Sequence, residues 1–382
     1  MRLRDGAEHF VVHEIPAYPP CGAGEHLYVL VEKRGLNTDE VAEALARALG
    51  RPRGSVGYAG RKDRAAVARQ WFSVQLGDEA GLARFSLAGA EVLEVSRHRN
   101  KLRLGHLRGN RFRLGLEGAD GAGAVEALDA ALARLTQNGV ANRFGPQRFG
   151  AGGINLEIAR AWARGDVARA AALCVDPAGA WRSGEPLPAG FRHGPMGRVV
   201  GRLRSAPDDP EKALHAAGPE FRKLLASAAQ SAVWNAVYDA RAAAGLVHVP
   251  RAGDVLRRRD GGLFRLAEAD LADARVRAAP GRLELLATAP LPGDEAYAPS
   301  AEVDAEERRW SAPAQVEWTW FERDRPLASR GDRRELVVPF LEPPSLAVEG
   351  TFAELAFALP PGSYATEVLA RCGVEVPERR VS

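Results

Sequence analysis

Between Tyr58 and Gln70 the chain reads YAGRKDRAAVARQ, in which one carboxylate, Asp63, follows Gly60 and stands among Arg61, Lys62 and Arg64 just ahead of a strand-like segment. Cations so close favour the ionised form of a carboxyl group. An ionised carboxylate suits a nucleophile or an electrostatic stabiliser better than a general acid. The same residue types also describe a surface ion pair, the commoner arrangement, so the spacing alone leaves both readings open. A second concentration of chemistry is Arg97 to Arg113, RHRNKLRLGHLRGNRFR, with seven basic residues, two histidines and no carboxylate. It is either a solvated strand pair or a surface that tracks phosphates, since Arg and Lys neutralise backbone charge and release counterions. Phe149 to Asn155, FGAGGIN, could hold an anion ahead of a helix, although a tight turn explains a lone glycine cluster better. No G-x-S-x-G, H-E-x-x-H, phosphate loop or strand-borne G-x-G-x-x-G occurs.

The rest of the chain bounds what these residues can serve. Its 382 residues allow two domains, or one domain carrying a large insertion. With 46% hydrophobic and 26% charged residues it belongs among ordinary globular proteins. No apolar run approaches the roughly 20 residues a membrane helix needs, and the opening MRLRDGAEHF lacks the apolar core of a signal peptide. A cytoplasmic protein with no membrane contact is expected. Cys21, Cys174 and Cys372 are far apart and form no C-x-x-C pair, which argues against a disulfide framework or a thiolate metal site. The net charge of +3 says little, and 47 of the 52 basic residues are Arg, a bias that reflects overall composition more than partners. Position is more informative: residues 51 to 115 hold 14 basic and 5 acidic residues, a local charge of +9. An acidic cluster from Asp294 to Glu307 offsets it.

The elements that must position Asp63 alternate in the first third. Glu25 to Lys33 (EHLYVLVEK) is apolar, short and β-branched, as a strand should be. Asn37 or Thr38 can cap a helix with Val41, Leu45 and Leu49 on one face and Gly50 at its end. Trp71 to Leu76, and Phe112, Leu114 and Leu116, alternate with period two and predict half-buried strands; Ala124 to Gln137 predicts an amphipathic helix stopped at Asn138-Gly139. From about Asn142 the chain becomes helix-rich, with candidate helices at Leu156 to Arg164, Val167 to Cys174 and Phe221 to Ala244, then a loop-rich stretch from about Gly281 to Pro313. Glu354 to Leu359 returns to strand alternation, Pro360-Pro361-Gly362 turns, and Ser363 can cap a helix through Cys372. The pattern predicts an α+β fold, mostly antiparallel, whose last segment rejoins the first domain's sheet around an insertion.

Five ordered segments carry a family resemblance. Gly60-Arg61-Lys62-Asp63, running on to Gln70, resembles the G-x-K-D signature of the TruD family of tRNA pseudouridine synthases. Phe10-Val11-Val12-His13-Glu14, with Gly24 to Leu27 and Lys33 to Thr38 (KRGLNT) behind it, is similar to that family's opening strand. Gly109 to Leu114 resembles its G-N-x-F-x-I segment, Asn142 to Gly150 its N-x-F-G-x-Q-R-F-G element, and Leu359 to Thr366 its P-x-G-S-(F/Y)-A-T ending. The resemblance covers nearly the whole chain. Ala68 stands where the family often has Thr, which removes one hydroxyl near the signature.

The resemblance implies a pseudouridine-synthase-like catalytic domain at residues 1–141 and 339–382, with an inserted helix-rich α+β TRUD domain at 142–338, tRNA bound in the cleft between them, and a monomer. It implies conversion of uridine to pseudouridine in tRNA, at uridine-13 of the D arm, with no metal and no cofactor. Asp63 is then the nucleophile, at ribose C1′ or uracil C6, with Lys62 and Glu14 holding the charge balance. A uridine inside folded tRNA must be flipped out to react, and Tyr18, Asn110, Phe112 and Tyr364 are the implied pocket residues. For Phe112 and Tyr364, core packing is the competing explanation. Arg97, Arg99, Lys101, Arg108 and Arg111 are the candidate contacts to the RNA backbone, and Asn142 to Gly150 is expected to pack the insertion onto the catalytic domain. Two other classes compete: a non-catalytic tRNA-binding protein or RNA chaperone using the same basic surface, and a base methyltransferase, which would need a nucleotide-binding loop that is not found.

Overall fold

The structure is a computed structural model of the chain and describes residues 1–178, 181, 185, 194–259 and 261–377. The chain opens with β1 (Arg2–Leu3), β2 (Phe10–Pro16), β3 (His26–Arg34), α1 (Thr38–Ala48), β4 (Val56–Tyr58), β5 (Val67–Gln75), β6 (Ala90–His98), β7 (Leu107–Glu117) and α2 (Ala124–Asn138). Alternation makes β3 a two-faced strand. Leu27, Val29 and Val31 pack with Val41 and Leu45 of α1, while Tyr28 points to the other face with Trp71 and Leu102. Asn37 is the N-cap of α1, its backbone N–H donating to Glu40 Oε2 at 2.6 Å. Thr38 is thereby released for another partner.

A short strand, β8 (Val140–Ala141), leads into the inserted unit. There α3 (Ile154–Ala163), α4 (Val167–Val175), α5 (Gly194–Ser205), α6 (Pro210–Ala216) and α7 (Pro219–Ala243) share one apolar core that includes Ile158, Trp162, Leu173, Phe221 and Phe321. The Gly150–Gly153 cluster ahead of α3 is a tight turn, with Gly150, Gly152 and Gly153 at φ of 76°, 60° and 82°, a region that favours glycine. The unit continues with β9 (Val255–Arg258), β10 (Leu263–Arg265), α8 (Leu271–Ala278), β11 (Leu285–Leu291), α9 (Ala301–Ser311) and β12 (Asp332–Glu335). Its four-stranded sheet runs β10-β9-β11-β12. The stretch expected to be loop, residues 281 to 313, is therefore largely regular. As an inner strand, β11 (LLATAPL) is buried on both faces and shows no alternation. Its neighbour α9 is capped by the Ser300 hydroxyl and folds the acidic run into a helix face with an Asp304–Arg308 pair at 2.7 Å.

The chain returns through β13 (Val337–Val338) to β14 (Glu342–Glu349), β15 (Phe352–Leu359) and α10 (Ala365–Arg371). Of the described residues, Met1–Val140 with Val338–Pro377 form one compact unit and Ala141–Val337 the other; residues 378–382 of the expected C-terminal segment lie outside the described residues. The first unit is built on a nine-stranded sheet in the order β14-β15-β7-β2-β5-β3-β6, with β1 beside β7 and β4 beside β5. Among the described strand pairs of this sheet, β2–β5 is parallel and the others are antiparallel, with a parallel bridge from Arg2 to Glu375 beside them. Rejoining is extensive, since β15 pairs with β7 from Phe352↔Glu117 to Leu359↔Asn110. Tyr364, not Ser363, is the N-cap of α10. Among the described residues no helix is long and apolar enough to cross a membrane.

Candidate active site

The site begins at a fork in the first unit's sheet. Along one edge of β5, β2 pairs at Val67–Arg69 and β4 pairs at Phe72–Val74, so the ladder is interrupted at Gln70 and Trp71. The Trp71 N–H left at that gap donates to Glu14 Oε1 at 3.4 Å. The other carboxylate oxygen, Oε2, accepts from Lys62 Nζ at 2.8 Å, and both residues are more than nine-tenths buried.

The loop from β4 to β5 carries Gly60 to Asp63, and its backbone is held group by group. The Gln70 amide donates to the Gly60 carbonyl. Thr38 Oγ1 accepts from the Lys62 N–H at 2.9 Å and donates to Gln70 Oε1 at 3.0 Å. Lys33 Nζ donates to the carbonyls of Lys62 at 3.2 Å, Asp63 at 2.9 Å and Leu36 at 2.6 Å. Lys33 and Gln70 are fully buried and Thr38 nearly so. Buried polar groups are costly unless paired; here Gln70, Thr38 and Lys33, with the Glu14–Lys62 pair, find their partners in fixing one loop. On that frame the Asp63 side chain remains exposed, accepting from the Ala65 N–H at 3.0 Å.

The cations around Asp63 differ from the simple sequence picture. Lys62 turns inward to Glu14, and Arg61 lies 3.4 Å from Asp39. The Lys33 ammonium sits beneath the backbone instead. Burial pushes the Glu14 carboxyl above its ordinary value against the pull of Lys62. Burial also lowers Lys33, to about 8, helped by Lys62 and opposed by Asp63 and Glu40.

Sheet register brings Asn110 to the same place. Glu14↔Asn110↔Leu359 is one rung across β2, β7 and β15, which puts the Asn110 and Glu14 side chains on one face. Asn110 Oδ1 is buried without a hydrogen-bond partner. Two rungs inward and on the same face, Phe112 is 7% exposed between Phe10 and Phe357, so the structure gives its ring to the core. Tyr364 is half-buried five residues beyond Leu359 at the start of α10. Tyr18 is placed in a different group, stacked on His98 at 4.9 Å with its hydroxyl 2.9 Å from His106 Nδ1.

The basic candidates divide. Arg97 meets Glu79 at 3.5 Å, Lys101 donates to the Gly54 carbonyl, and Arg111 forms two bonds to Glu342 at 2.8 and 2.6 Å. Arg99 and Arg108, with Arg103, are exposed and make no ion pair among the described residues. Asn142 to Gly150 bonds within the inserted unit: Asn142 reaches Leu336 and Glu335, Phe144 reaches Asn235, and Arg148 reaches Ser227. Among the described residues no three His, Cys, Asp or Glu side chains are grouped to hold a metal ion.

The family model for tRNA pseudouridine synthase D matches residues 1–186 and 187–372. The chain belongs to the TruD family. It is 39% identical to the tRNA pseudouridine synthase D of Geobacter metallireducens over 96% of this chain and 93% of that one. It is 38% identical to that of an Anaeromyxobacter species, over 98% and 94%. The crystal structure of a putative tRNA pseudouridine synthase D from Methanosarcina mazei superposes with a TM-score of 0.72 at 25% identity, covering 97% of this chain and 92% of that one. Within this TruD chain, Lys33 and Thr38 are the site residues that the motif reading passed over, though both lie in the KRGLNT segment. Alternation could have found Lys33: after Leu27, Val29 and Val31 it occupies the next inward position of β3. No local signal marks Thr38, because the sequence lets either Asn37 or Thr38 cap α1 and the fold assigns the cap to Asn37.

Proposed function

We propose that this protein isomerises a uridine of tRNA, uridine-13 of the D arm, to pseudouridine, with Asp63 as the nucleophile acting on a base flipped out of its stack. The observation that carries the reading is the clamping of the Gly60–Asp63 backbone by Gln70, Thr38 and Lys33, with the Glu14–Lys62 ion pair beneath it, while the Asp63 carboxylate is left open to solvent. Effort of that kind is expected where a reacting group must be placed to within tenths of an ångström.

The reaction is redox-neutral and internally balanced: the C1′–N1 bond breaks, a C1′–C5 bond forms, the C5 proton leaves and N1 gains one. Asp63 supplies the electron pair, at C1′ or at C6. Asn110, with its unpartnered Oδ1 on the Glu14 rung, suits the N3–H of a uracil edge, and the Tyr364 ring, at the start of α10, suits its face. Arg99 and Arg108 are the cations available to phosphate. On this reading the unit around the nine-stranded sheet is the catalytic domain, 141–337 is the inserted TRUD domain, and the protein works as a cytoplasmic monomer, since the nucleophile and its clamps all come from one unit of one chain.

The test is direct. Purified protein is incubated with unmodified tRNA, and pseudouridine is mapped by carbodiimide labelling. Wild type should modify position 13, and Asp63→Asn and Asp63→Ala should abolish the product while still binding tRNA. Equal product from the Asp63 variants would remove the nucleophile assignment. Binding without product from wild type would leave a tRNA-binding protein or chaperone.

A further inference from the structure

Leu104 is 72% exposed, more than any other large apolar side chain among the described residues. It stands in the most basic part of the chain, with Arg103 beside it and Arg99, Lys101 and Arg108 within five residues. An isolated exposed leucine needs no explanation in general, but the backbone that presents this one is fixed on both sides. The Leu102 N–H donates to Ser73 Oγ at 2.9 Å, the His106 N–H to the Arg103 carbonyl at 3.0 Å, and the Gly105 N–H to the Ala59 carbonyl at 2.8 Å. Gly105 has φ +92°, a turn conformation that side chains resist. The His106 ring is held by Tyr18. The Ala59 contact matters most, because Ala59 precedes Gly60, the first residue of the clamped loop that carries Asp63. The Leu104 apex and the nucleophile loop are therefore parts of one rigid frame.

We propose that Leu104 is the wedge that enters the RNA stack where the target uridine leaves it. This rests on the reading above, in which the uridine is extruded to reach Asp63. Extrusion opens a gap between stacked bases and costs unstacking free energy, and proteins that open base steps commonly fill them with an apolar side chain. A leucine on a turn tied to the Asp63 loop, with unpaired Arg99, Arg103 and Arg108 to draw phosphates in on its flanks, combines the required apolar tip with the required placement. The tight cluster of Tyr18, His98 and His106 behind the turn gives the wedge something stiff to push against.

The experiment compares wild type, Leu104→Ala and Leu104→Met in single-turnover pseudouridine formation on folded tRNA and on an unstructured oligoribonucleotide carrying the same uridine. Because the side chain is exposed, neither substitution should disturb folding, which circular dichroism checks. The wedge predicts a 10- to 100-fold slower rate for Leu104→Ala on folded tRNA at unchanged Kd, a much smaller loss on the oligoribonucleotide, and recovery of most of the rate in Leu104→Met. A Leu104→Ala rate equal to wild type on tRNA overturns the proposal, as does a Met variant no better than Ala, or an Ala loss that is the same on both RNAs. Wild type that makes no pseudouridine would fail the parent reading, whereas active wild type with an equally active Leu104→Ala would fail the wedge alone.

Discussion

Raising the pH through the titration of Lys33 should move activity and stability in opposite directions. Lys33 is fully buried, and its ammonium gives one N–H to each of three carbonyls, those of Leu36, Lys62 and Asp63. A neutral amine has only two N–H groups, so deprotonation releases one of the bonds that fix the Asp63 backbone and removes the positive charge beneath it. With the group lowered to about 8, the single-turnover rate should reach its plateau below pH 8 and fall toward tenfold per unit above it. Stability runs the other way. Burial lowers Lys33 from its ordinary 10.5, so below pH 8 both folded and unfolded chains carry the proton and the full penalty applies. Between about 8 and 10.5 the unfolded chain binds more protons, and stability rises by an amount on the order of 3 kcal/mol before levelling off. Rate and Tm would be measured from pH 6.5 to 10 for wild type, Lys33→Arg and Lys33→Met. Arg stays charged throughout, so that variant should lose the alkaline limb, and Met should lose the rise in Tm. A limb that persists in Lys33→Arg would belong to the uracil or another group and would refute the argument, as would a wild-type rate that stays flat to pH 9.5.

Breaking the Glu14–Lys62 pair from one side should be far worse than removing both charges: Glu14→Gln or Lys62→Met is expected to cost about 3–5 kcal/mol, and the double variant clearly less than their sum, in urea unfolding. Gly109→Ala should destabilise the first unit and lower activity together, because a Cβ there would lie 2.3 Å from the Leu359 carbonyl and would push β15 off β7 beside Asn110; a neutral effect in thermal unfolding would count against the register. Arg99→Gln and Arg108→Gln should each reduce the slope of log affinity against log salt for tRNA by about 1. Arg111→Gln should change that slope less, since Glu342 already neutralises Arg111.

The parts of this protein that were legible in its sequence are those written in local periodicity. The alternation of β3, the helical spacing of α1 and the stop of α2 at Gly139 all follow from side chains within a few residues of one another. The stretch from 281 to 313 reads as loop for the same reason in reverse: β11 is buried on both faces and so has no alternation to show, and the polar run of α9 resembles a loop until its cap at Ser300 and its i,i+4 ion pair are counted. The candidate site was legible as a motif around Asp63, but its physical content was not, because the partners are distant in sequence. Glu14 meets Lys62 across 48 residues, Thr38 meets Gln70 across 32, and Arg111 is neutralised by a glutamate 231 residues away. Composition made Arg97 to Arg113 look uniformly available to RNA; topology leaves only its unpaired members so. Topology also shows where the charge of Lys62 goes. Its charge is spent on Glu14 at the fork where β2 and β4 separate, and the chain has to supply a second, unheralded lysine from β3 to hold the loop that Asp63 stands on.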